Sequence, residues 1–74
     1  MSVRLPVVSG DELVRVLVRQ GWQVARQRGS HVVLRHADRS HPLVVPLHRQ
    51  LKRGTLLGIL RDAGMDREEL RSLL

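Results

Sequence analysis

The chain has 74 residues, with 13 Lys and Arg against 7 Asp and Glu, a net charge of +6, no cysteine and Trp22 as its one Phe, Trp or Tyr residue. That length supports one domain with a modest core, and the lack of cysteine excludes a disulfide scaffold. No apolar run approaches the roughly 18 residues of a membrane span, and the Val-rich run around Arg4 and Pro6 lacks the long apolar centre of a signal peptide, which points to a soluble intracellular protein with no membrane partner.

The first helix announces itself at Ser9-Gly10-Asp11-Glu12, where the serine hydroxyl can take a free backbone N–H and Glu12 can reach back, the spacing of a capping box. Leu13, Val14, Leu17 and Val16 follow at helical spacing, and Gly21 is placed to end the helix in a left-handed conformation. Val18 widens the apolar face beyond one core contact. The period then changes to two. Trp22, Val24 and Arg26 alternate with Gln23, Ala25 and Gln27, which predicts a half-buried strand, with Trp22 anchoring the core. Arg28-Gly29-Ser30 breaks it.

His31-Val32-Val33-Leu34-Arg35-His36 is a second strand, rich in β-branched residues. After the polar turn Ala37-Asp38-Arg39-Ser40, residues His41 to Leu47 read as a third strand. Pro42 and Pro46 cannot donate to a ladder, so this strand belongs at an edge or is short. A second helix is predicted from Arg53 to Ala63, with Leu56, Ile59, Leu60 and Ala63 on one face and Gly64 as its stop. Gly58 inside it costs about 1 kcal/mol relative to alanine, so a close packing contact is expected there. Asp66 and Glu69 repeat the capping-box spacing before a short terminal helix edged by Leu70, Leu73 and Leu74. The order α-β-β-β-α plus a short C-terminal helix predicts an α+β, two-layer sandwich with one open sheet face. If Val32 and Leu34 are buried, His31 and Arg35 lie on the open face, near Arg26 should the first two strands form a hairpin; burying Val33 is the alternative.

The charge is concentrated. Between Trp22 and Arg53 stand Arg26, Arg28, Arg35, Arg39, Arg49, Lys52 and Arg53 against Asp38 alone, and all four histidines (His31, His36, His41 and His48) lie in the same stretch. Such a field favours a polyanion, because neutralising phosphates releases counterions. A solvated charged surface or an acidic protein partner would have the same composition. The histidine spacings match neither an i, i+4 helical pair nor a zinc pattern, so no metal and no other cofactor is expected. His36 and His41 flank a turn and are placed to face each other across a hairpin. Lys52-Arg53-Gly54-Thr55 lacks the glycine and the strand–loop–helix setting of a nucleotide loop, though a basic helix entrance can hold a phosphate.

These residues come in a recognisable order. Glu12-Leu13-Val14 opens a helix that closes with Gly21-Trp22, and Arg28-Gly29-Ser30-His31 enters an apolar strand. Val45-Pro46-Leu47-His48 ends the next strand, and Lys52-Arg53-Gly54-Thr55-Leu56 leads to Ile59-Leu60 and Ala63-Gly64. In this the chain resembles the HicA family of toxin–antitoxin modules over nearly its whole length. The resemblance implies a fold like the double-stranded-RNA-binding domain, ribosome-independent cleavage of mRNA and neutralisation by a HicB-type antitoxin. It also implies that the histidine of the Gly-Ser-His motif, here His31, carries the activity.

RNA supplies its own nucleophile, the 2′-hydroxyl, and histidine titrates near neutrality, so one imidazole can take or give the proton. His31 is therefore the candidate general acid or base. Arg26, Arg28 and Arg35 are candidates to hold the phosphate as bidentate forks, and Gly29 would let the RNA backbone come close. Ser30, His48, Lys52 and Arg53 complete the candidate RNA contacts, with His48 also a candidate second proton-transfer group. Two other readings remain open on these residues: a non-catalytic RNA-binding module, and a basic domain for protein interaction.

Overall fold

The computed structural model describes residues 4–74 and shows α1 (Gly10–Arg19), β1 (Gln23–Arg28), β2 (His31–Arg35), β3 (Leu43–Pro46), α2 (Arg53–Ala63) and α3 (Arg67–Leu73). The expected α+β order is present. Both predicted capping boxes form: Ser9 with Glu12 opens α1, and Asp66 with Glu69 opens α3. Gly64 closes α2 in the left-handed region, while α1 ends at Gln20, with Gly21 at φ +96° just beyond. No helix among the described residues is long and apolar enough to cross a membrane.

The strands form an antiparallel sheet in the order β1-β2-β3. Its helix-facing side presents Val32, Leu34, Leu43 and Val45, all buried, to Leu13, Val16 and Leu17 of α1 and Leu56, Ile59, Leu60 and Ala63 of α2. Trp22 is 3% exposed and joins this core as expected. No polar or charged side chain among the described residues is buried, so the sandwich is held by apolar burial and backbone pairing.

Four sequence expectations need correction. All six residues of β1 are exposed, so it is not half-buried: Trp22 lies just before it, and Val24 stays 50% exposed at the sheet's edge. The third strand is shorter than His41 to Leu47, running only from Leu43 to Pro46, with Pro42, which cannot donate to a ladder, just before it. It is also at an edge. Gly58 makes no tight contact, since a Cβ built there meets nothing within 4 Å. Pairing of β2 with β3 stops at Leu34–Leu43, short of His36 and His41. The His36 ring packs on Trp22 at 5.2 Å between centroids, and its Nδ1 accepts the Asp38 N–H at 3.0 Å.

The close glycine contact is elsewhere. Gly10, in the first turn of α1, is buried, and a Cβ there would fall on the Pro46 carbonyl oxygen and 2.8 Å from the Leu47 Cα. Its N–H donates to the His48 carbonyl at 2.9 Å, and Leu51 N–H donates to the Val8 carbonyl at 2.9 Å. The segment before α1 is thereby tied to the loop that follows β3.

Candidate nucleic-acid interface

One irregularity in β1 decides which side chains share a face. The β1–β2 register pairs Val24 with Leu34 and then Arg26 with Val33, so Ala25 is an extra residue in a β-bulge. Directly opposed residues of an antiparallel pair point to the same side. Val24 therefore stays on the helix side with Leu34, while Arg26 and Arg28 turn to the open side with Val33 and His31. A regular ladder continuing from Val24–Leu34 would have put Arg26 opposite buried Val32. Strict alternation would run Trp22, Val24 and Arg26 along one face, and the bulge is what sets Arg26 near His31, where the hairpin reading expected it.

The open face then has a defined layout. His31, the first residue of β2, is exposed, with Arg28 opposite it on one side and Pro46 on the other. The next row across the sheet is Arg26, Val33 and Val44, and the one beyond pairs Gln23 with Arg35. Arg35 lies four residues along the strand from His31, about 13 Å away at the rise of a β-strand. The structure thus brings Arg28 to His31, sets Arg26 one row away and leaves Arg35 at the far end. Val44, 48% exposed beside half-buried Val33, gives this basic face an apolar centre that the sequence reading missed. The run Leu43-Val44-Val45-Pro46 is apolar throughout, so no alternation in the sequence marks Val44, and its exposure follows from the register with β2.

The tight turn that delivers His31 is Gly29-Ser30. Gly29 has φ +56° and no described non-glycine residue has positive φ, the pattern of a type II′ hairpin with glycine first. A Cβ at Gly29 would meet nothing within 4 Å, so the backbone there is open to an approaching ligand. Ser30 holds the neighbouring strand through its carbonyl, which accepts the Leu47 N–H at 2.6 Å. His48 is exposed just past β3. Lys52 is the N-cap residue of α2 with no side-chain cap bond, and Arg53 begins the helix. Lys52 and Arg53 thus stand at the entrance of α2, outside the sheet rows that hold Arg26 and Arg35.

The electrostatics are one-sided. Among the described residues the ion pairs are Arg15–Asp11 and Arg61–Asp62, both on helices. Arg26, Arg28, Arg35, Arg49, Lys52 and Arg53 are exposed and none has an acidic partner in that set. Arg39 leaves the basic group, since its guanidinium donates to the Ala63 carbonyl at the end of α2 at 3.2 Å. Among the described residues, no group of three or more His, Asp or Glu side chains is placed to hold a metal ion. An apolar groove of about 560 Å³ between α1 and α3, lined in part by Val14, Val18, Leu73 and Leu74, contains none of the candidate residues. A flat, basic, open sheet face suits an extended polyanion better than a small molecule, which requires an enclosing cavity.

Known proteins share this fold. A family model described as HicA toxin of bacterial toxin–antitoxin matches residues 10–65, from the start of α1 to just past α2. A chain in a solved structure described as a toxin–antitoxin complex from Streptococcus pneumoniae is similar to this one at 30% sequence identity and a TM-score of 0.68. The match covers 78% of this chain and 98% of that chain. A search of curated proteins gave no match.

Proposed function

This chain belongs to the HicA toxin family, and from that premise we propose that it is a cytoplasmic mRNA endoribonuclease with His31 as its general acid or base. The observation that carries the reading is the placement of His31: exposed, opposite Arg28, on an open face whose charged residues are all basic. RNA cleavage here needs the 2′-hydroxyl proton removed, charge at phosphorus balanced and the 5′-oxygen protonated as it leaves. His31 is suited to the proton transfer. Arg28, and Arg26 one row away, are suited to the developing charge, since a guanidinium binds two phosphate oxygens in a planar fork. The bare Gly29 backbone lets the phosphate reach that row. Arg35, Lys52 and Arg53 then act farther along the strand of RNA, on phosphates that are not cut. The products are a 2′,3′-cyclic phosphate and a 5′-hydroxyl, and neither a ribosome nor a metal enters the step.

The partner proposed for the same face is a HicB-type antitoxin, inhibiting by covering His31 and Arg28 so that RNA cannot approach. Product end groups test the reaction. Cyclic phosphate ends made by wild type and absent with His31→Ala support it, whereas salt-sensitive binding with no new ends from either protein leaves an RNA-binding module. An antitoxin complex in which His31 stays open to solvent would refute the blocking scheme.

A further inference from the structure

Cleavage of a phosphodiester by an in-line attack puts the entering 2′-oxygen and the departing 5′-oxygen on opposite sides of phosphorus. One imidazole cannot serve both at once, so a second proton-transfer group belongs within reach of His31. We propose that His48 is that group, the general acid that protonates the leaving 5′-oxygen. The inference rests on the ribonuclease reading and completes its chemistry.

The backbone carries the placement. β2 and β3 pair His31 with Pro46, and the Leu47 N–H bond to the Ser30 carbonyl continues the same register one residue further. Continued by one more position, that register would set His48 across from Gly29. Contact with the core continues to alternate through this extension. Val45 is buried, Pro46 is half-buried, Leu47 packs against the core and His48 is exposed. His48 therefore belongs to the open face with His31, on the diagonal of the pair. Diagonal neighbours across a sheet lie about 7–8 Å apart. That backbone separation leaves room for a phosphate between two imidazoles.

The surroundings of this diagonal suit the task. Gly29, across from His48 in that continued register, contributes no side chain, and a Cβ there would have open space around it. Around this diagonal stand Arg28 and His31 in one row with Pro46, His48 two residues past Pro46, and bare backbone at Gly29. His48 is held from behind, its carbonyl accepting the buried Gly10 N–H at 2.9 Å. The loop after β3 is fixed by the start of α1, and among the described residues the imidazole has no hydrogen-bond partner. Among the histidines the structure singles this one out: His36 is taken up by Trp22 and the Asp38 N–H, and His41 lies beyond the far end of the β2–β3 ladder.

The step balances. His31 takes the 2′-hydroxyl proton, the O2′–P bond forms, the P–O5′ bond breaks, and O5′ receives a proton from the His48 imidazolium. The cyclic phosphate and the 5′-hydroxyl leave with the two histidines in exchanged protonation states, which solvent resets.

The test uses two RNAs that differ at one atom, a normal cleavage site and one with sulfur in place of the bridging 5′-oxygen. A thiolate leaves without a proton, so it bypasses a general acid. Wild type, His31→Ala, His48→Ala and Lys52→Ala are compared on both after circular dichroism establishes equal fold content. The expected result is that His48→Ala loses about 10²-fold or more on normal RNA and regains most of that loss on the sulfur substrate. His31→Ala stays impaired on both. Loss by His48→Ala of the same size on both substrates, the behaviour expected of the contact residue Lys52, would overturn the proposal. Absence of cleavage by wild type on either substrate would instead overturn the ribonuclease reading beneath it.

Discussion

At Gly10 and Gly58 the same residue does opposite work, and substitution separates them. Gly10 lets the first turn of α1 press on the Pro46 carbonyl and reach the His48 carbonyl with its N–H. Gly10→Ala is expected to destabilise by about 1–3 kcal/mol, the cost of overpacking a closed contact, read as a lower midpoint in urea. Cleavage should fall further than stability explains, because His48 moves with the strand end. Gly58 sits in a helix interior where a methyl group has room. Gly58→Ala should stabilise by roughly 1 kcal/mol, raising Tm by about 4–8 °C for a domain this size, with cleavage unchanged. The arginines divide in the same way. Arg28→Ala should lower kcat roughly tenfold or more, the loss of a charged hydrogen bond at the reacting phosphate. Arg35→Ala, at the far end of β2, should raise KM and leave kcat near wild type in steady-state kinetics.

The elements show how far a sequence can be read. Both capping boxes, the limits of α2 and the burial of Val32 and Leu34 followed from local patterns, because caps and periodicity are set by residues a few positions apart. Ser9→Ala should cost about 1 kcal/mol in thermal or urea unfolding for the same local reason. The face carrying His31 and Arg35 was legible too, from alternation in β2. What local pattern could not give was the bulge at Ala25, which depends on pairing between strands and moves Arg26 and Arg28 to the His31 face. Nor did it give the packing of Gly10 on β3 or the bond from Val8 to Leu51, which join distant parts of the chain. The bulge leads to its own prediction. Deleting Ala25 leaves every observed pair on both sides of it intact, so the variant should fold and keep cleavage within about tenfold, as an irregular ladder becomes regular. Loss of activity with the fold retained would mean that the bend of the bulge, and not the register alone, aims Arg28.

For the molecule as a whole, apolar side chains fill the helix side of the sheet, and the open side collects basic residues with no described acidic partner. Binding to RNA should therefore be strongly salt-dependent. If Arg26, Arg28, Arg35, Lys52 and Arg53 each neutralise one phosphate, the slope of log K against log salt is about −3.5, at roughly 0.7 per phosphate of a single strand. Removing one of them should flatten that slope by about 0.7 in a binding titration. His31→Ala should leave it nearly unchanged, since its role is proton transfer and not charge neutralisation. The most direct measurement is the cleavage rate of an end-labelled single-stranded RNA in the presence of a chelator, wild type against His31→Ala at equal fold content. Wild type is expected to cleave and the variant to lose cleavage while its salt-sensitive binding persists. Equal cleavage by both proteins would contradict this, because the reaction would then be carried by some residue other than His31.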